Sequence, residues 1–548
     1  MSDVLLSPLE TIVRNYRPIL PSSLNNISSL LAVPDKETVK FTHSKKDILT
    51  SFPLTADRPY MKLISGNTSP LKALKIGVIF SGGPAPGGHN IIAGLYDAVK
   101  TVHKDGTVIG FLNGGAGFLE GSYIEVTESL VNDYRNTGGF DMIGSGRKKI
   151  VSSEGCSCAL KVASDLKLDG LVMVGGDGSN TNTAVLAEYF AKEGSPTVII
   201  GLPKTIDGDL HHNFLDVPFG FDTATKFYSS IISNISRDAL SAKAYYHFIK
   251  LMGRSASHIV LECALQTHPN IALIGEEIAC KKMTLKKIVS KICSIINKRA
   301  SIGKYYGIIL IPEGIIEFIP EIVNLVKEIE NSKNEADSDI LKHLSPESLE
   351  ILQSFPPKIA EQLLYDRDAH GNVWLSKISV DELFMHLTSQ ELFANYRDVP
   401  FNATSHFLGY EGRSGLPTRF DNDYCYALGF CAVALIRNGL NGYLATIANI
   451  VSSHTMQQPM AIPITSMLTM LPNDGTPSPL IKKYLVKADS PAFNMFKIYR
   501  QIWSLDNSYR FTGPLQCGLW DSGDSEENME IYRQAPATVI LNSRKELS

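Results

Sequence analysis

Short runs of apolar residues, each followed by a polar loop that contains glycine, dominate the pattern in the first half of this chain. Residues 75–80, 170–174 and 197–200 are runs of this kind, and stretches with helical spacing follow the first two. Continuous apolar runs of this length are typical of strands buried on both faces of a parallel sheet. Strands and helices that alternate in this way predict right-handed βαβ units from about residue 74 to about residue 215.

The loops that follow these runs carry residue types that handle phosphate groups. Residues 81–90 are rich in glycine, and glycines at a strand-to-helix junction let backbone N–H groups approach a phosphate. Asp177 stands among glycines in the second loop, where it could bind a hard cation. The third loop carries Lys204, Thr205 and Asp207, a set that suits removal of a proton from an alcohol and stabilisation of an oxyanion.

Each loop also has a purely structural interpretation. The first matches neither a Walker loop nor a GxGxxG fingerprint, so its glycines are compatible with tight packing alone. Asp177 is also suited to cap the following helix, and the aspartates after Lys204 to cap backbone amides of a turn. The combination is more specific, because residues 250–254 and 311–314 also end apolar runs with basic or acidic groups. Together these strand exits indicate phosphoryl transfer.

Six motifs occur in an order that resembles the phosphofructokinases, most closely the long, pyrophosphate-dependent members of that family. They are SGGPAPG (81–87), GGDGS (175–179), PKTIDGD (203–209), MGR (252–254), PEG (312–314) and GYEGR (409–413). RDAHGN (367–372) looks like a segment typical of the long members. The resemblance covers most of the chain from about residue 74 and implies two Rossmann-like parallel-sheet domains. It also implies phosphorylation of the 1-hydroxyl of fructose 6-phosphate to fructose 1,6-bisphosphate in glycolysis, without allosteric regulation.

The resemblance implies a role for each matching residue. The catalytic group would be Asp207, as the general base towards the sugar hydroxyl, with Lys204, Thr205 and Gly178. Magnesium would be held by Asp177 and Asp209, and the donor phosphates by Gly83 and Arg147. The residues that hold fructose 6-phosphate would be Thr205, Asp207, Met252, Gly253, Arg254, Glu313, Tyr410 and Arg413. Lys243 and Tyr245 would reach the sugar phosphate of a neighbouring subunit in a homodimer.

One departure from the family pattern concerns the phosphoryl donor. Pyrophosphate-dependent members usually carry a second aspartate directly after the metal aspartate, where this chain has Gly178. In the family, that carboxylate takes the place of the α-phosphate of ATP and repels it. Lys204 matches the lysine that balances charge on the leaving phosphate in the pyrophosphate enzymes. ATP-dependent relatives can also combine this lysine with glycine in the earlier loop, so the two positions leave the donor open. Because the whole chain resembles the long pyrophosphate-dependent members, we expect pyrophosphate as the donor, with ATP as the alternative, and a non-catalytic regulatory subunit or a phosphate-sensing binder as further alternatives.

The organisation of the chain is expected to follow three parts. Residues 1–70 would be an N-terminal extension on the outside, and 71–218 the donor- and magnesium-binding domain. Residues 219–548 would bind fructose 6-phosphate, with a C-terminal segment that packs back on the first domain. A helical insertion is predicted at about 317–399, because apolar residues from Ile322 to Ile329 fall on one helical face. The charged residues 328–339 are expected to form an exposed loop.

Composition excludes several other classes of protein. At 548 residues the chain is too long for one ordinary core. A formal charge of −4, with scattered lysines, disfavours nucleic acid as a partner, and no apolar run is long enough to cross a membrane. Its eight cysteines lie mostly in apolar runs without zinc-ligand spacing, and the N-terminus lacks the apolar core of a signal peptide. We therefore expect a cytoplasmic enzyme with reduced thiols.

Overall fold

In a computed structural model of the chain, the described residues are 7–41, 45–66, 71–332, 337–367, 371–471, 477–514 and 535–543, with 337–339 described as backbone alone. Residues 368–370 of the RDAHGN segment and most of the tail after Asp521 lie outside these ranges. The chain divides into two compact units. The first holds the residues up to Ala224 together with Glu411–Tyr484. The second holds Thr225–Tyr410, Leu485–Pro514 and the last described helix.

The strands of the described residues, in chain order, are β1 (Leu30–Pro34), β2 (Met61–Ser65), β3 (Lys75–Phe80), β4 (Thr107–Phe111), β5 (Tyr123–Glu125), β6 (Gly170–Gly175), β7 (Val198–Pro203), β8 (Tyr246–Leu251), β9 (Ile271–Ala272), β10 (Gly307–Pro312), β11 (Ala403–Leu408), β12 (Tyr443–Ala448), β13 (Gln458–Pro463), β14 (Leu468–Leu471) and β15 (Ser478–Ile481).

The α-helices are α1 (Pro8–Asn15), α2 (Lys45–Ser51), α3 (Gly88–Val102), α4 (Gly115–Glu120), α5 (Glu128–Tyr134), α6 (Ser153–Asp165), α7 (Asp177–Lys192), α8 (Phe221–Ala242), α9 (His258–Thr267), α10 (Gly275–Cys280), α11 (Leu285–Ala300), α12 (Pro320–Asn331), α13 (Asp337–His343), α14 (Pro346–Ser354), α15 (Pro357–Tyr365), α16 (Val380–Asn395), α17 (Arg419–Arg437), α18 (Pro491–Leu505) and α19 (Ala537–Ser543).

The first unit is built on a nine-stranded sheet in the order β1-β2-β13-β12-β7-β6-β3-β4-β5. Its central strands, from β12 to β4, pair in parallel, and the outer pairs are antiparallel. Every residue of β6 and β7 is buried, which explains why these strands read as unbroken apolar runs. The carboxyl ends of β3, β6 and β7 therefore emerge side by side at one edge of the sheet.

Residues of the predicted N-terminal extension take part in this sheet. β1 pairs with β2, and β2 pairs in turn with β13, both antiparallel. Ile48, Phe52 and Tyr60 are buried in the same hydrophobic cluster as residues of β12 and β13. The segment before residue 70 thus widens the sheet by two strands and supplies its outermost strand on that side.

The second unit is built on a four-stranded parallel sheet in the order β11-β8-β10-β9. Five helices, α12 to α16, lie in the stretch predicted as a helical insertion. On α12 the buried residues are Ile322, Leu325, Val326 and Ile329, which is the apolar face expected from their spacing. The loop prediction for residues 328–339 is wrong in part, because α12 continues to Asn331 and α13 begins at Asp337. The exposed side of a helix carries the same polar residues as a loop, so polarity alone did not separate them.

One sheet with a parallel centre and one sheet that is parallel throughout, both flanked by helices in the chain, confirm the predicted α/β class. Whether the two units correspond to a donor domain and a sugar-phosphate domain, with boundaries near residues 70 and 218, stays a prediction.

Candidate functional site

In the first unit, the loop after β7 brings a buried lysine against the loop after β3. The Lys204 ammonium donates a hydrogen bond to the carbonyl of Gly83 at 2.8 Å, and its backbone N–H donates to the carbonyl of Gly175 at 2.9 Å. Three of the loops that are predicted to bind phosphate are therefore tied together at this residue. Burial lowers the pKa of Lys204 to about 8, with Asp207 and Asp209 opposing the shift and two arginines adding to it.

Beyond Lys204, the loop carries two carboxylates around a tight turn. The backbone N–H of Asp207 donates to the Thr205 hydroxyl at 3.0 Å, and Gly208 has a φ of 70°, which favours glycine. Burial, and after it the nearby charges of Asp207 and Asp177, raises the pKa of Asp209 to about 6. A hydrogen bond from Thr205 and the charge of Lys483 act in the opposite direction. Three acidic side chains thus interact within one small region.

The third aspartate begins helix α7. Asp177 is half-buried in its first turn, and Gly178 after it is exposed. A Cβ placed on Gly178 would meet no other atom within 4 Å, so the place of the missing family carboxylate is open space. Two positions after Gly178, the Asn180 amide donates to the carbonyls of Gly175 and Leu202, at 2.7 and 3.3 Å, and so holds the ends of β6 and β7 together.

Two arginines stand near Lys204. A Cβ built on Gly83 would lie 3.2 Å from the guanidinium of Arg413, so this side chain lies directly over the Gly83 backbone. Arg147 is exposed and follows Gly146, whose carbonyl accepts the N–H of Gly82 at 2.9 Å. The charges of both arginines lower the pKa of Lys204. Cations and backbone N–H groups beside carboxylates are the composition expected where a phosphate and a metal ion meet.

In the second unit, the carboxyl ends of β8 and β10 carry the other predicted residues. The N–H of Met252 donates to the Leu408 carbonyl at 3.0 Å, and the N–H of Gly253 donates to the buried Glu313 carboxylate at 3.3 Å. The φ of Gly253 is 127°, a backbone conformation that residues other than glycine rarely adopt. Arg254 is exposed beside this turn.

Tyr410, which follows the end of β11 in the same unit, is 70% exposed. Lys243 and Tyr245 lie elsewhere, in the connection between α8 and the amino end of β8. Both are exposed, with φ values of 52° and 67°. Lys243 and Tyr245 precede β8, whereas Met252 and Arg254 follow it. Because β8 is parallel to its neighbours, the two pairs lie at opposite ends of the strands of this sheet. The structure does not bring them together with the rest of this group.

Lys483 and Asn180 are two residues of the first site that the sequence reasoning did not single out. Lys483 is far away in sequence from the three loops and belongs to no motif, so only the folded structure reveals its position. Asn180 lies inside a motif but reads there as one more polar helix residue.

Within the described ranges, no group of three or more His, Cys, Asp or Glu side chains could hold a metal ion. None of the described helices is long and apolar enough to cross a membrane. The seven cysteines in these ranges are free thiols.

Comparison with known proteins identifies relatives over almost the whole chain. The phosphofructokinase family model matches residues 75–347. The chain is 41% identical over 528 residues to a pyrophosphate--fructose 6-phosphate 1-phosphotransferase of Porphyromonas gingivalis, covering 93% of this chain and 95% of the relative. It is 45% identical over 490 residues to the protein of the same name from Treponema pallidum, covering 86% and 85%. A crystal structure of a pyrophosphate-dependent phosphofructokinase from Nitrosospira multiformis shares the fold, with a TM-score of 0.54 and 16% identity over 83% of this chain and 96% of that one.

Proposed function

Because this chain belongs to the phosphofructokinase family, we propose that it transfers a phosphoryl group from pyrophosphate to the 1-hydroxyl of fructose 6-phosphate. The products are fructose 1,6-bisphosphate and inorganic phosphate, and the reaction is reversible. Relatives with pyrophosphate in their names are similar over more than four fifths of the chain, which supports this donor. The observation that carries the proposal is the meeting of Lys204, Asp207 and Asp209 with Asp177 at the ends of β6 and β7.

Asp207 is assigned as the general base. The sugar oxygen attacks the terminal phosphorus of the donor, the oxygen–phosphorus bond to the leaving phosphate breaks, and the hydroxyl proton passes to the Asp207 carboxylate. The backbone N–H of Asp207 donates a hydrogen bond to the Thr205 hydroxyl, which stabilises the turn that carries this carboxylate. Thr205 is proposed to contact the phosphoryl group during transfer.

Asp177 and Asp209 are proposed to hold magnesium. Magnesium is usually bound by one or two carboxylates, with phosphate oxygens and waters as its other ligands, so no cage of protein ligands is required. The raised pKa of Asp209 fits this role, because a buried carboxylate that also lies near other carboxylates gains from a divalent cation. When bound, the ion neutralises charge on the donor phosphates.

The donor phosphates are assigned to the cationic side of the first site. Gly83 and Arg147 would bind the donor, and Lys204 would stabilise charge on the leaving phosphate. A lysine with a pKa of about 8 remains mostly protonated at neutral pH and can supply this charge.

Fructose 6-phosphate is assigned to the group in the second unit. Arg254 would bind its phosphate, and Met252, Gly253, Glu313 and Tyr410 would contact the sugar. Arg413, which lies over Gly83, is assigned to the sugar phosphate by family resemblance and to the donor by its contact. We propose that its guanidinium binds both.

Lys243 and Tyr245 are proposed to serve the site of a second subunit in a homodimer, because both are exposed at the other edge of their sheet. Free thiols in the described ranges suit a reducing compartment, and we place the enzyme in the cytoplasm.

One observation favours ATP as a second candidate donor. Gly178 has neither the bulk nor the charge of the aspartate that would repel an α-phosphate, and the space beside it is open. An assay of the purified protein with fructose 6-phosphate and either magnesium pyrophosphate or magnesium ATP separates these donors. Turnover with pyrophosphate at the higher kcat/KM is the expected result, and efficient turnover with ATP alone would overturn it. Absence of turnover with both donors would favour a regulatory subunit or a phosphate-sensing binder.

A further inference from the structure

A hairpin near the end of the first unit brings Lys483 to the site formed by Asp177, Asp207 and Asp209. β14 and β15 pair antiparallel, and Lys482 and Lys483 follow β15 directly. The N–H of Ile481 donates to the Thr181 hydroxyl at 3.1 Å, and this hydroxyl donates to the carbonyl of Asp177 at 2.9 Å. The hairpin is therefore fastened to the first turn of α7.

A second contact fixes the residues that follow. The N–H of Tyr484 donates to the carbonyl of Asp209 at 2.8 Å, and the Tyr484 ring stacks on His211, with ring centroids 4.2 Å apart and an angle of 14°. Lys483 lies between the two backbone attachments, one to Asp177 through Thr181 and the other to Asp209. Its side chain is half-buried and its charge acts on Asp209, whereas Lys482 is exposed.

On this basis we propose that Lys483 is a further donor-binding residue, whose ammonium binds phosphate oxygens of magnesium pyrophosphate. This inference rests on the proposed function. A magnesium ion on Asp177 and Asp209 would compete with the lysine for the same carboxylate, since two cations repel each other at one anion. The phosphate that enters with the metal supplies the anion that the lysine then needs, and lysine binds phosphate as a point charge.

The alternative is that Lys483 only neutralises Asp209 and stabilises the fold. The two roles differ in what the lysine does once the donor is bound. Neutralisation would affect stability and both substrates alike, whereas binding would affect the donor alone.

The test compares Lys483→Met, Lys483→Arg and the control Lys482→Met in the full-length enzyme. Titration calorimetry with pyrophosphate in excess magnesium gives the Kd, steady-state assays give KM for each substrate, and thermal unfolding checks the fold. We expect Lys483→Met to raise the Kd and KM for pyrophosphate about tenfold or more and to leave KM for fructose 6-phosphate within about twofold. Lys483→Arg should recover most of the loss, and Lys482→Met should match the wild type.

Equal pyrophosphate affinity in Lys483→Met and the wild type would overturn the inference, as would parallel losses for both substrates. If Lys483→Met does not fold, a Lys483→Arg enzyme with unchanged pyrophosphate KM and a lowered Tm would count against binding. A wild-type protein that neither binds nor uses pyrophosphate would instead overturn the proposed function, and this inference would fail with it.

Discussion

The two groups of predicted site residues differ in how far their charged side chains are buried. In the first unit, Lys204 is buried and hydrogen-bonded to the Gly83 carbonyl, and Asp209 is buried near other carboxylates. In the second unit, Arg254 and Tyr410 are exposed, and among the charged residues predicted there Glu313 alone is buried. Groups with strongly shifted pKa values are those tuned for proton and phosphoryl chemistry, whereas exposed cations suit capture of an anionic substrate. The comparison therefore separates residues that should control kcat from those that should control KM.

The largest effect is expected at Asp207, on the chemical side of this comparison. Asp207→Asn keeps the size of the side chain and removes its ability to take a proton. We expect kcat to fall by about two to four orders of magnitude, the usual scale for loss of a general base. Fructose 6-phosphate binding, measured by calorimetry, should change far less. A variant with near-normal turnover would show that another group is the base.

The next effect is expected at the two arginines, one from each group. Removal of a charged contact to a bound phosphate costs about 2 kcal/mol or more, so Arg254→Ala should raise KM for fructose 6-phosphate about 30-fold. Its KM for pyrophosphate should stay near that of the wild type. Arg413→Ala should raise both KM values, because its guanidinium lies over Gly83 and acts on Lys204. Steady-state kinetics with each substrate varied in turn measure the difference.

A selective loss of pyrophosphate affinity in Arg413→Ala would place this arginine with the donor alone. A selective loss of fructose 6-phosphate affinity would place it with the sugar, as the family resemblance implies. Equal kinetics for Arg254→Ala and the wild type would contradict the division between the two groups.

The Asp209 carboxylate should lower the free energy of unfolding when no magnesium is bound. Asp209 has a pKa raised from 3.8 to about 6, so its protonated form is favoured by folding and this advantage is lost as the pH rises from about 4 to 6. Asp209→Asn should therefore stabilise the metal-free protein at pH 7 by about 1–3 kcal/mol, and a gain of this size should disappear near pH 4. Thermal unfolding in a chelator at both pH values measures it.

The same variant should lose the stabilisation that magnesium pyrophosphate gives the wild type. A loss of stability in metal-free Asp209→Asn at pH 7 would show that the carboxylate is satisfied by its neighbours and is not held ready for a cation.

The sequence was informative where the candidate catalytic residues directly follow a strand in the chain. The strand exits at Asp177, Lys204 and Asp207 could be predicted, because a strand and its following loop are adjacent in the chain. Lys483 could not be predicted, because a hairpin from a distant part of the sequence delivers it to Asp209. The two strands before residue 70 were missed for a similar reason, since they join the sheet through β13, a strand far away in the sequence.

The smallest effect on the proposed reaction is expected at Gly178, and it tests the donor. The position is exposed and a Cβ there meets no atom within 4 Å, so Gly178→Asp should fold without strain. It lies in the first turn of α7, where an added carboxylate stabilises a helix by about 0.3–1 kcal/mol.

Beside Asp177, the new carboxylate of Gly178→Asp should repel the α-phosphate of a nucleotide and lower any ATP-dependent rate, because like charges in a partly dehydrated site repel strongly. Pyrophosphate has no α-phosphate, so its kcat/KM should be kept or improved. Gly178→Asn, which has the same size without the charge, is the matched control and should lower the ATP-dependent rate less. If both variants suppress ATP equally, bulk and not charge decides the donor. If Gly178→Asp lowers the pyrophosphate rate as strongly as the ATP rate, the open space at this position serves the chemistry itself, and the donor is chosen by the cations around Lys204.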